Sequence, residues 1–134
     1  MKYLAATVQF EPEMFAKERN IDALTRLVEE AAASGARLII TPEMGLTGYC
    51  WYDREEVAPY VEQVPGPSTQ SFAALAAKLD CYIVIGLPEV DAGNGLYYNT
   101  AVLVGPEGYL GKHRKSHPYI AEPKWAASGD TGHQ

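Results

Sequence analysis

A chain of 134 residues, 47% hydrophobic and 21% charged, can bury one core of ordinary globular composition, and it contains no low-complexity stretch or repeat. Its net charge of −6 argues against nucleic acid or an anionic membrane as partner, since both demand clustered Lys and Arg, and the basic run Lys112-His113-Arg114-Lys115 is too short to track phosphates. No segment reaches the ~20 apolar residues of a membrane span, nothing after Met1 reads as a signal peptide, and Cys50 and Cys81 are too few for a disulfide scaffold, so reduced thiols and a cytoplasmic location are expected.

Residues Lys2 to Phe10 (KYLAATVQF) are rich in strand formers, and Glu11-Pro12 ends the run. A helix follows, with Asn20 as expected N-cap, Asp22 in the first turn, and Ile21, Leu24, Leu27, Val28 and Ala31 on one face. Ser34-Gly35 closes it, with Gly35 at the C′ position. Leu38-Ile39-Ile40 reads as a short, fully apolar strand ended by Thr41-Pro42. Strand, helix and strand with short joints make a βαβ unit, hence a parallel sheet with helices on a face. The pattern recurs: Val64-Pro65-Gly66-Pro67 is a rigid loop, Ser68 caps a helix with Phe72, Leu75, Ala76 and Leu79 on its apolar face, and Tyr82–Ile85 is a buried strand ended by Gly86. The grammar then changes. Asp91–Gly95 and Gly105–Gly108 are turns that set off Tyr97–Val104 and Tyr109–Arg114 as antiparallel hairpins on the rim of the same sheet. Pro118 to Gln134 shows no periodicity and runs into the turn signal Ser128-Gly129-Asp130-Thr131-Gly132. The expectation is one mixed α/β domain over residues 1–134, without a linker.

Two residues stand where chemistry is done in such sheets, just beyond the carboxyl ends of strands. Glu43 follows Leu38–Ile40, where hydrophobic walls would desolvate a carboxylate and suit it to proton transfer. Lys115 follows Tyr109–Arg114, where a fixed ammonium can hold developing oxyanion charge. A solvated loop glutamate and a wet basic edge are the plainer alternatives. Strand alternation sends His113 and Lys115 to one face and Arg114 to the other. His113 and His117 have the spacing of a helical zinc pair, but Pro118 follows and no glutamate completes HExxH, so no metal site is expected. Neither a phosphate-cradling GxxxxGK[ST] or GxGxxG loop nor a GxSxG elbow is present.

The strings TPEMGLTGY, YYNTAVLVGPEGYLGKHRKSH and EPKWAASGD, in this order and at these separations, resemble the nitrilase superfamily of carbon–nitrogen hydrolases along almost the whole chain. The resemblance implies an αββα sandwich that forms a homodimer or higher homo-oligomer, and no cofactor. It also implies hydrolysis of a non-peptide carbon–nitrogen bond in a small amide, carbamoyl or nitrile substrate through a cysteine thioester, LTGY leaning toward the amidase and carbamoylase branches. Residue by residue, it makes Glu43 the general base, Lys115 the oxyanion stabiliser and Glu122 a supporting glutamate. His117 and Asn99 take structural positions, and Tyr49 and Trp51 become candidates for lining the substrate pocket. The family's cysteine lies on a strand beyond the GD turn, so the domain is expected to be incomplete at its C-terminal side, with the thiol supplied by the remainder of the same enzyme. Neither Cys50 nor Cys81 matches that position, and both read as structural thiols. Two alternatives carry different chemistry: a non-catalytic, truncated hydrolase-like module acting by subunit association, and the glutaminase domain of a larger ammonia-channelling enzyme.

Overall fold

The computed structural model describes residues 3–132. In chain order it contains β1 (Ala5–Thr7), α1 (Lys17–Ala33), β2 (Leu38–Ile40), α2 (Arg54–Val57), α3 (Pro67–Leu79), β3 (Tyr82–Val90), β4 (Tyr97–Gly105) and β5 (Gly108–Arg114), with short 3₁₀ turns at Ala58–Tyr60 and Glu122–Lys124. The five strands form one sheet in the order β1-β2-β3-β4-β5. The first three run parallel, as short βαβ units require, and β3, β4 and β5 are joined antiparallel as two hairpins. Two reversals bring β5 back into the direction of β2 and β3. The carboxyl ends of β2, β3 and β5 therefore share one rim, which they share with the start of β4.

Helices α1 and α3 cover one face of the sheet. Leu24, Val28, Phe72 and Ala76 from the helices pack against Ile39, Ile83, Ile85, Val102 and Val104, all essentially without exposure. The opposite face, which alternation gives to Ile40, Tyr82, Val84, Ala101 and Leu103, is half-buried or exposed; Ile40 retains 38% of its surface and Tyr82 36%. The fully apolar β2 is thus buried on one side only, and Tyr82–Ile85, expected as a buried strand, likewise buries Ile83 and Ile85 but not Tyr82. Between Leu103 and Val104 a bulge shifts the register of β4 against β5.

Several local expectations are revised. Helix α1 begins at Lys17, not at an Asn20 cap; Asn20 lies inside the first turn, 2% exposed. Its amide serves the preceding loop instead, accepting from the Glu13 N–H at 2.9 Å and donating to the Glu13 carbonyl at 2.8 Å. A buried amide has to meet all its partners, and a two-sided tether does so better than a one-sided cap. The other end is as expected: Gly35 takes φ +93°, while the Gly35 and Ala36 N–H groups close back onto Ala32 and Ala31, a Schellman closure. Helix α3 is capped by Gly66 with Pro67 in its first turn, and Ser68, expected as the cap, gives both its N–H and its hydroxyl to the Glu62 carboxylate. Strand β1 is confined to three residues by a three-residue partner, although Val8 N–H still reaches the Ile40 carbonyl at 2.8 Å; Lys2 lies outside the described residues. Strand β3 does not stop at Gly86 but runs on to Val90, for a reason that belongs to the site.

Candidate active site

The loop after β2 folds back over β3. Gly45 N–H closes on the Pro42 carbonyl at 3.0 Å, Gly48 N–H on Met44 at 2.8 Å, and Leu46 N–H bonds to the Gly86 carbonyl at 3.2 Å. Gly86 makes this crossing available: a Cβ there would stand 2.6 Å from the Met44 nitrogen and 2.9 Å from the Pro42 oxygen. The glycine that looked like a strand terminator is a saddle for the loop. Met44 holds φ +53°, uncommon outside glycine, and its fully buried side chain packs in a second core with Trp51, Val57 and Trp125.

The crossing brings Glu43 to the rim, where the ends of β4 and β5 meet it. Lys115 Nζ donates to Glu43 Oε1 at 2.9 Å, to Glu122 Oε2 at 2.6 Å and to the Tyr49 hydroxyl at 3.3 Å. Asn99, on β4, gives its amide N–H groups to Glu43 Oε1 and Glu122 Oε1, both at 2.7 Å. Tyr49 in turn donates to Glu122 Oε2 at 2.7 Å. Two carboxylates are thus tied by one ammonium and one amide. Lys115 faces a cleft of about 490 Å³ that Glu43, Asn99, His113, Ser116 and His117 also line.

The three charges differ in setting. Glu122 is a fully enclosed carboxylate, 1% exposed as a residue, at the start of the Glu122–Lys124 turn. Burial pushes its pKa up, but the bonds from Asn99, Lys115, the Tyr119 N–H and Tyr49 outweigh this, and the net shift is downward. Burial likewise works against the Lys115 ammonium, yet its bonds to Glu122, Glu43 and Tyr49 hold its pKa above the ordinary lysine value. Tyr49 is raised by burial and by the Glu122 carboxylate it serves. Glu43 is not the walled-in acid expected: its side chain is 52% exposed, facing the cleft. One carboxylate is locked and ionised, the other accessible.

Strand alternation holds as expected at the end of β5. His113 faces the cleft side, while Arg114 is buried on the other face, with Nη2 2.6 Å from Glu89 Oε1 and 2.6 Å from Asp91 Oδ2. Lys112 also pairs with Glu89. Three of the four residues in the basic run are therefore bound to carboxylates, not spread on a wet edge. Trp51 is not brought to the cleft: 3% exposed, it packs edge-on against Phe15 at 5.5 Å and near Tyr60 at 5.1 Å, and donates to the Gly48 carbonyl at 3.0 Å. It borders a separate hollow of about 360 Å³ that Tyr49 and Glu122 line as well, Tyr49 being tied to the Glu43 cleft through its hydroxyl's contact with Lys115. Cys81 is buried at the opposite rim, at the foot of β3, and its burial raises its pKa. Cys50, expected as a buried structural thiol, is exposed, because the loop carrying it turns outward beside that hollow. Neither thiol lines the cleft of Glu43 and Lys115. Among the described residues there is no group of three His, Cys, Asp or Glu side chains able to hold a metal.

Asn99, expected in a structural position only, instead has its side chain within the site, bridging Glu43 and Glu122. It has the same parity as Ala101 on β4 and stands at the end nearest the Glu43 rim, and that combination was the signal available.

Residues 4–132 match the sequence profile of the carbon-nitrogen hydrolase family. Among curated relatives, a nitrilase of Pyrococcus abyssi is 37% identical over 128 residues, 95% of this chain and 48% of the relative. A protein N-terminal amidase of Schizosaccharomyces pombe is 32% identical over 130 residues, 91% of this chain and 46% of the relative. The chain thus spans about half the length of these proteins. In three dimensions it is similar to a crystal structure of an N-terminal amidase, with a TM-score of 0.81 and 29% identity, over 91% of this chain and 30% of that one. The five-stranded sheet with its helical layer is accordingly a nitrilase-type fold, and this chain belongs to the carbon–nitrogen hydrolase family of the nitrilase superfamily.

Proposed function

We propose that this chain supplies the base and the oxyanion partner for hydrolysis of a small amide, carbamoyl or nitrile substrate through a cysteine thioester, with a thiol contributed by polypeptide outside these 134 residues. The observation that carries the reading is the ammonium of Lys115 bonded to both Glu43 and Glu122 on the wall of an open cleft, in a chain of this family.

In this reading the exposed Glu43 carboxylate takes the thiol proton, and the thiolate attacks the substrate carbon. For an amide, the carbonyl electron pair becomes an oxyanion beside Lys115. Its contact to Tyr49, at 3.3 Å, is the longest of the ammonium's three and the readiest to be exchanged for the oxyanion. Collapse breaks the carbon–nitrogen bond, and protonated Glu43 returns its proton to the departing ammonia or amine. Water, deprotonated by the same carboxylate, then cleaves the thioester. Glu122 stays ionised throughout, because its lowered pKa keeps the proton elsewhere, and so holds Lys115 charged and in place. Tyr49 is proposed to border the substrate, whereas Trp51 supports the Tyr49 loop from behind.

The test uses the full-length protein and a panel of small amides and nitriles, with ammonia release as readout. Lys115→Ala is expected to abolish release while far-UV circular dichroism is unchanged. An undiminished rate in that variant removes Lys115 from the chemistry and the reading with it.

A further inference from the structure

The turn Gly129-Asp130-Thr131, which the chemistry above does not use, lies directly on the segment that carries Lys115. Gly129 N–H donates to the Lys115 carbonyl at 2.8 Å, Arg114 N–H donates to Thr131 Oγ1 at 3.0 Å, and Arg114 Nη1 donates to Asp130 Oδ1 at 3.0 Å. On the opposite flank the Lys115 N–H donates to the Asn99 carbonyl at 2.8 Å. The main chain of Lys115 is therefore gripped from both sides, although β5 ends one residue earlier. Contact with the turn is so close that a Cβ on Gly129 would stand 2.0 Å from the Arg114 carbonyl oxygen and 2.5 Å from its carbon. That carbonyl belongs to the peptide joining Arg114 to Lys115. Arg114 is itself immobilised by Glu89 and Asp91 and lies 4.0 Å over the Tyr98 ring.

We propose that the Gly129–Thr131 turn is a positioning clamp, which sets where the Lys115 ammonium stands by fixing the Arg114–Lys115 peptide. The proposal rests on the hydrolase reading of Lys115. A lysine stem has four rotatable bonds, so its end group can be preorganised only if its Cα is held first. Gly129 and Asp130 line no part of the cleft, and both act through Lys115. The side chain of Asp130 is 59% exposed, so its bond to Arg114 can be altered without opening the core.

The experiment compares Gly129→Ala, Asp130→Asn, Asp130→Glu and Lys115→Ala in the full-length protein, reading kcat, KM and the thermal midpoint. Misplacement by about 1 Å costs on the order of 10² in rate. Gly129→Ala is therefore expected to lose about that factor in kcat with KM changed less than about twofold. Asp130→Asn should lose kcat by roughly three- to tenfold, and Asp130→Glu should recover most of it, as befits a charge-assisted bond. A lowered midpoint with unchanged kcat in both Gly129→Ala and Asp130→Asn overturns the clamp and leaves a purely structural turn. If Gly129→Ala does not fold, Asp130→Asn decides alone by the same criterion. Lys115→Ala separates the two readings: a rate that needs Lys115 but ignores the turn overturns the clamp only, whereas a rate indifferent to Lys115 overturns both.

Discussion

Asn99 concentrates the interdependence of the site in one side chain. Both its amide hydrogens go to carboxylates, and its carbonyl on the main chain holds Lys115. Replacing it by alanine leaves a buried Glu122 oxygen without its neutral donor, and bonds to charged groups are worth about 1.5–3 kcal/mol each. Asn99→Ala is expected to lower stability by about 2–3 kcal/mol in urea denaturation and to cut kcat as well; a stable, fully active variant would show that the bridge is dispensable. Glu122→Gln tests the locked carboxylate separately. It keeps shape but removes one of the charges that together outweigh the desolvation of Lys115, and a fall in kcat on the order of 10² is expected, the scale of misplacing a reacting group by about 1 Å. Glu43 and Lys115 were legible in the sequence because each follows an apolar strand within a recognisable string. Asn99 was not, because the direction of an asparagine in a strand depends on which face the rest of the sheet leaves open.

Among the elements, the placement of the Glu43 loop depends on a single absent side chain. Gly86 lies in mid-strand, and the loop crosses it at a separation that no Cβ tolerates. Gly86→Ala is expected to push the 42–44 segment outward, costing about 1–3 kcal/mol as overpacking does, and to lower the rate more than a core truncation of equal cost. Comparing it with Ile83→Ala, a fully buried position at the foot of β3, toward the opposite rim, and worth about 2–5 kcal/mol, separates loss of geometry from loss of stability. Equal rates per folded molecule in the two variants would contradict the saddle. The helices α1 and α3 were readable from periodicity and the strands from composition, apolar runs and flanking turns, whereas the first turns of the helices were not. Local cap chemistry named Asn20 and Ser68, but tertiary partners, the Glu13 backbone and the Glu62 carboxylate, claimed those side chains.

At the scale of the whole molecule, two properties are open to measurement. Glu89, Glu122 and Asp91 all titrate below their ordinary values in the folded state, Asp91 near about 2, because cations and amides hold their charged forms. A depressed folded pKa contributes stability that is complete above the unfolded value and is lost as pH falls through the folded one. The thermal midpoint should therefore hold steady down to about pH 5 and fall progressively between about pH 4 and 2; a flat profile to pH 2 would show that these networks contribute nothing. The second property is the sheet face that α1 and α3 leave uncovered. Ile40 and Tyr82 are exposed there beside half-buried Val84 and Leu103, the kind of surface that marks an interaction site. Residues 1–134 alone should bind a hydrophobic dye or self-associate in sedimentation, and Ile40→Lys should suppress this. Hydropathy indicated that β2 was apolar throughout but could not tell which of its faces these residues would cover.

Arg114 and Lys115 are neighbours in the chain with opposite destinations, one sealed against Glu89 and the other reaching Glu43. Nothing in their chemistry sorts them; only the pairing of β5 with β4 does, adjusted by the irregularity at Leu103–Val104. Sliding β5 by a single residue would aim a guanidinium at the cleft and an ammonium at the buried carboxylate. The tight connection at Gly105–Gly108, which lines no part of the cleft, consequently decides which cation faces it. Adding or deleting one residue there is expected to abolish the proposed hydrolysis without replacing any residue of the cleft.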